Sequence, residues 1–130
     1  MEKTILISGK EVRLKNTGSF ALRYKEQFGK NPISEIMGMI EVFKDMDIDS
    51  ISPELDLGDL KKIDFDVFYN VTWTMAKTAD KSIVSPLDWL DEFDEFPIID
   101  ILPEVMDMLI QSFTSTIQSK KNMNHPAMKR

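Results

Sequence analysis

The sequence predicts a mostly helical α+β domain: an N-terminal β-hairpin followed by about five helices, in one globular unit over residues 1–119, with a flexible basic tail over 120–130. Three observations carry this expectation. Strand-like runs flank a glycine near the start, apolar residues recur at helical spacing through most of the remainder, and two cap-plus-proline pairs restart the chain. At 130 residues, with 42% hydrophobic and 29% charged side chains, the chain can bury one modest core, and it is too apolar to be wholly disordered.

The hairpin is expected over residues 3–15. Thr4-Ile5-Leu6-Ile7 and Glu11-Val12-Arg13-Leu14 enclose Ser8-Gly9-Lys10, where glycine supplies the positive φ of a tight turn. The helical body, residues 17–119, begins with Phe20, Ala21, Tyr24 and Phe28 on one stripe. Asn16 or Thr17 is available as cap and Gly29 as stop. Asn31-Pro32 then opens a second helix, because proline at the first helical position loses no hydrogen bond. Its expected apolar face is Ile33, Ile36, Met37, Ile40 and Phe43.

From Asp47 to Ile63 the periodicity lapses and a long loop is expected. Steps of three and four return at Phe65, Phe68, Tyr69, Thr72, Trp73, Ala76 and Ala79, capped by Asp64 or Asp66; this is the longest central helix. Ser85-Pro86-Leu87-Asp88 starts a short helix through Trp89, Leu90 and Phe93. Pro97 and Pro103 bracket Ile98 to Leu102, and a last helix is expected beyond Pro103, with Val105, Met106, Leu109, Ile110, Phe113 and Ile117 as its stripe.

The net charge of -6 hides a pattern. Residues 1–30 carry seven Lys/Arg against three Asp/Glu, residues 31–119 five against nineteen, and residues 120–130 four against none. A basic front, an acidic body and a basic tail permit self-association of like copies and capture of a basic partner, although the acids read equally well as solvated helix faces. Basic residues Lys10, Arg13, Lys15, Arg23 and Lys25 suit a phosphate backbone, but a pI near 4.8 argues against nucleic acid as the main partner.

Catalytic chemistry finds little footing. The chain has no cysteine, so it has no thiolate nucleophile, disulfide or cysteine-ligated zinc, in keeping with a reducing cytoplasm. The one histidine, His125, sits beside Pro126 in the tail, a poor place for a general base. The glycines are scattered, so no phosphate-binding loop forms. Asp88, Asp91, Glu92, Asp94 and Glu95 lack the glycine turn of an EF-hand. No apolar run approaches the roughly 20 residues of a membrane span, and the N-terminus lacks a signal-peptide layout. The expectation is a binding protein: no enzyme, no cofactor, no metal and no membrane. The candidate partner-binding residues are Arg23, Tyr24 and Phe28 after the hairpin, and Trp89, Phe93 and Phe96 among the acids. Each aromatic reads either as core or as an interface anchor, and the nine methionines either fill the core or provide adaptable surface.

Two blocks carry a family resemblance. Ile7-Ser8-Gly9-Lys10-Glu11-Val12-Arg13-Leu14-Lys15 followed by Phe20-Ala21-Leu22-Arg23-Tyr24-Lys25-Glu26-Gln27-Phe28-Gly29-Lys30 resembles the opening of tail assembly chaperones from siphovirus-type phages, with long non-contractile tails, and prophages of Gram-positive bacteria. Trp73 to Asp80, Pro86 to Phe93 and Ile101 to Val105 resemble that family's later segments. The resemblance implies a morphogenesis factor of the host bacterial cytoplasm, absent from the mature virion. Such a factor coats the tape measure protein and helps recruit tail tube (major tail) protein subunits. It also implies a programmed frameshift near the end of the gene, with which Ser119-Lys120-Lys121-Asn122 is compatible. The alternatives are a self-assembling structural tail component and a nucleic-acid-binding regulator.

Overall fold

The computed structural model describes residues 1–45 and 61–112. The chain starts with strands β1 (Glu2–Ile7) and β2 (Lys10–Lys15), paired antiparallel with Ile7 opposite Lys10 and Glu2 opposite Lys15. The two-residue turn has positive φ at both positions, 53° at Ser8 and 80° at Gly9, which is the type I′ geometry that matches strand twist. Alternation then puts Ile5, Ile7, Val12 and Leu14 on one buried face, while Thr4, Leu6, Glu11 and Arg13 face out. A lone hairpin is marginal in water; this one is stabilised by covering a helix.

Five helices follow among the described residues. Helix α1 (Phe20–Phe28) is capped by Ser19, with no bond from its side chain, and not by Asn16 or Thr17; instead Thr17 Oγ1 accepts from the Ser19 N–H at 3.3 Å. It ends at Gly29 in the left-handed region (φ 69°), whose N–H closes on the Lys25 carbonyl. Helix α2 (Pro32–Asp45) opens as the sequence predicts, with Asn31 Oδ1 accepting from the Ile33 N–H at 3.0 Å. Its buried stripe is rotated from the expected one. Ile36, Met39, Ile40 and Phe43 are buried, whereas Ile33 and Met37 are about half exposed. A helix offers one face to a small core, and the five expected residues with Met39 span more than that face.

Helix α3 (Phe65–Ala79) is the pillar of the domain. Asp64 caps it, its carboxylate accepting from the Val67 N–H at 3.2 Å. Every residue from Val71 to Ala76 is buried, so the helix is enclosed on nearly all sides by the hairpin, α1 and α2. Its buried threonines remain satisfied: Thr72, Thr74 and Thr78 each donate to the carbonyl four residues back, at 2.7–2.8 Å. The Trp73 indole N–H donates to the Val84 carbonyl at 2.8 Å, tying the following loop to the helix.

Helix α4 (Pro86–Leu90) has proline at its first turn, and Ser85 Oγ donates to the Asp88 carboxylate at 3.1 Å. Phe93 lies beyond its end, carried by a turn in which its N–H donates to the Leu90 carbonyl. Helix α5 runs from 98 to 112, the end of the described residues, and passes through Pro103. The expected break at Pro103 therefore does not occur. Proline there costs about 3 kcal/mol through the lost bond to the Ile99 carbonyl. Burial of Ile101, Leu102, Val105, Met106, Met108 and Leu109, at about 1.5–3 kcal/mol each, outweighs it.

Most of the expected loop from Asp47 to Ile63, the tail over 120–130, His125 and the Phe113 and Ile117 positions lie outside the described residues. No described helix is long and apolar enough to cross a membrane.

Candidate partner-binding surface

Five of the six candidate residues are aromatic and fall into two groups packed in or against the core. Tyr24 is fully buried in a chain of rings from Phe20 (6.1 Å) through Phe28 (4.9 Å), and Phe28 meets Trp73 edge-on at 5.7 Å. The Tyr24 hydroxyl donates to the Glu35 carboxylate at 3.3 Å, joining α1 to α2. Desolvation, with the negative charge of Glu35, pushes this phenol up to about 12. The second group is a cluster in which Trp89, Phe93 and Phe96 touch one another edge to face, with centroids 5.2–5.9 Å apart. Phe96 extends it to Phe68 and Tyr69. Trp89 is buried, while Phe28, Phe93 and Phe96 are half-buried against the core. None of the five aromatics stands free in solvent; the rings bind α1 and α4 to α3, as burial of such large apolar area requires.

The basic front divides in two. Lys10 and Arg13 hold helix ends: Lys10 Nζ donates to the Glu92 carbonyl at 2.7 Å and lies 5.6 Å from the Phe93 ring centre, and Arg13 Nη2 donates to the Ala79 carbonyl at 2.6 Å. Cations favour helix C-termini, where carbonyls lack partners. Lys15, Arg23 and Lys25 form no ion pair among the described residues. The acids Asp88, Asp91, Glu92, Asp94 and Glu95 are exposed, and no group of acids or histidines among the described residues has the geometry to hold a metal ion.

The surface with the clearest capacity to receive a partner is one the aromatic residues did not mark. An open groove of about 470 Å³ runs between the hairpin's end, the starts of α1 and α2, and the last described turn of α5. Phe20 and Leu109 are its buried apolar lining, Met1 and Ile33 its exposed apolar rim, and Asn16, whose amide donates to Ser112 Oγ at 2.7 Å, its polar edge. Met37, one turn along α2 from Ile33, extends the apolar surface. The available signal was the overwide stripe of α2, since apolar residues exceeding one face must lie partly outside the core. Trp89 and Phe93 line a second groove of about 340 Å³ together with Lys10, Arg13, Asp80 and Glu92; its charges are mixed.

No protein-family model matches this chain, and comparison with curated proteins and with solved structures returns no significant match.

Proposed function

We propose that this chain is a tail assembly chaperone of a siphovirus-type phage or prophage, acting in the bacterial cytoplasm and leaving before the virion is complete. In this role it holds the tape measure protein and helps recruit tail tube subunits. The observation that carries the reading is the apolar groove between α1, α2 and α5 with its exposed Met1 and Ile33, next to the exposed Met37 one turn further along α2. A protein that shields the apolar stripe of a long helix requires an open apolar channel. Methionine at the rim lets one channel accept successive stretches of different sequence. The two segments that resemble this family's opening become the hairpin turn with β2 and helix α1, whose first residues line the groove.

Affinity in this role must be modest, because tube subunits displace the chaperone. Three half-exposed apolar side chains fit that need, since each contributes at most about 1.5–3 kcal/mol on full burial and association itself costs several kcal/mol. The test is co-expression with a tape measure fragment. The parent chain is expected to co-purify with the fragment and raise its soluble fraction. The double variant Ile33→Glu/Met37→Glu, altered only on the exposed side of α2, is expected to keep its circular dichroism and lose both effects. Equal solubility with parent, variant or no added chain sinks the proposal. Recovery of the chain in purified virions replaces it with a structural tail component.

A further inference from the structure

The last described residue, Ser112, belongs to the lining of the apolar groove. Its Oγ accepts from the Asn16 amide at 2.7 Å, which fixes the point where the chain leaves. Consecutive Cα atoms lie about 3.8 Å apart, so Phe113 starts at the mouth of the groove. Helical spacing also puts Phe113 four residues after Leu109 and seven after Met106, on the buried stripe of α5. A side chain on such a stripe leans back over the preceding turn, and here that is the turn of Leu109, the buried lining of the groove. Ile117 follows at the same spacing.

We infer that residues 113–119 of the same chain dock into this groove through Phe113 and Ile117, and that a partner must displace them. Groove and segment match in kind. Among the described residues no Asp, Glu, Lys or Arg lines the groove, and residues 113–119 carry no charge. The groove leaves apolar surface in water, with Ile33 50% and Met1 51% exposed, and Phe113 and Ile117 are the large apolar side chains able to cover it. Tethering favours the chain's own segment over a second copy. A segment joined directly to the groove's edge acts at an effective concentration on the order of mM, well above micromolar free protein. The basic residues 120–130 fit less well, because a lysine finds no acid in this lining. The docking stands on the groove alone; its consequence rests on the chaperone reading. A groove filled most of the time by its own chain binds a partner more weakly, in proportion to the fraction left open.

The experiment is binding of the uncharged apolar dye Nile red to the full chain. Phe113→Ser/Ile117→Ser is expected to keep its circular dichroism and to raise the dye signal at least about threefold, as for a parent groove open no more than a third of the time. Adding Ile33→Glu, which charges the rim, is expected to return the signal to that of the parent. Equal signals in parent and double variant overturn the inference. So does a gain that survives Ile33→Glu, since it then comes from packing loosened elsewhere. Should the double variant lose its fold, Ile117→Ser alone is expected to give a smaller gain, and no gain from it overturns the inference. A parent with twice the 15.0 kDa mass of one chain, whose dye signal rises on dilution, has a second copy in the groove and overturns it as well. Against a tape measure fragment, the double variant is expected to bind at least about threefold more tightly than the parent. A dye gain without that tightening keeps the docking and rejects the groove as the chaperone site.

Discussion

Replacing Trp89 by alanine tests whether the aromatic cluster of α4 is core or contact surface. Trp89 is 3% exposed and meets Phe93 and Phe96 edge-on at 5.2 and 5.9 Å. Truncation removes about 150–200 Å² of buried apolar surface, worth ~4–5 kcal/mol at 25 cal/mol per Å². Compactness of the unfolded chain lowers this, while the lost ring contacts and the cavity raise it, which leaves about 3–5 kcal/mol. Against a total stability of about 5–15 kcal/mol the loss is severe. For a chain of this length it lowers the melting temperature by roughly 10–20 °C. The assay is thermal and urea unfolding followed by circular dichroism, with Leu87→Ala as the control. Leu87 sits in the same short helix but is 77% exposed, so its removal is expected to stay within about 0.5 kcal/mol of the parent. Melting of Trp89→Ala within 3 °C of the parent, or an equal loss for Leu87→Ala, would refute the assignment of this ring to the core.

Three further perturbations probe the frame. Ser8 holds φ at 53°, a region glycine enters freely, so Ser8→Gly is expected to raise stability by about 0.5–1 kcal/mol in urea melts; a loss would mean that the turn is not type I′ in solution. Asp64→Ala removes the cap of α3 and is expected to cost about 1 kcal/mol, with Asp64→Asn close to the parent; equal loss in both would assign the effect to charge. The native Tyr24 phenol is pushed up to about 12, above its unfolded value near 10, so its contribution is complete below pH 10 and is lost as pH rises toward 12. Two units correspond to at most about 2.7 kcal/mol. Stability of the parent should therefore fall more steeply than that of Tyr24→Phe between pH 10 and 12, and parallel curves would contradict the buried phenol.

The elements legible in the sequence are those specified by local chemistry. Ser8-Gly9 between alternating strands, Asn31-Pro32, Asp64 and Ser85-Pro86 each mark a boundary because the residue itself satisfies or lacks a backbone group there. What the sequence left hidden is decided between elements. The passage of α5 through Pro103 is a contest between one lost hydrogen bond and six buried side chains, and only the packed core supplies the second term. The rotation of the α2 stripe depends on where α1 and α3 lie, so Ile33 and Met37 look identical to Ile36 and Ile40 until the neighbours are in place. Lys10 and Arg13 read as free basic residues because nothing local reveals the carbonyls, 82 and 66 residues away, that they hold.

The same reasoning explains why the large aromatics lie in or against the core. In a domain whose central helix is enclosed, every surrounding element must give α3 its best apolar residues: α1 contributes Tyr24 and Phe28, and α4 contributes Trp89. On the chaperone reading proposed above, recognition falls to side chains the core did not take, which here are smaller and more flexible. Met1 and Ile33 border a groove whose buried lining, Phe20 and Leu109, belongs to the packed core, and Met37 is exposed one turn from Ile33. A rigid apolar floor excludes water from whatever enters, and so supplies affinity, while a rim of methionine adjusts to different residues at little cost and so withholds specificity. That combination suits successive, reversible contacts along a long partner better than one tight contact. It predicts that Ile33→Met, which makes the rim still more adaptable, is better tolerated in partner binding than Phe20→Ala, which removes the floor and about 3–5 kcal/mol of stability with it. Comparable binding by both variants, measured against a tape measure fragment, would mean that the groove is not where the partner lies.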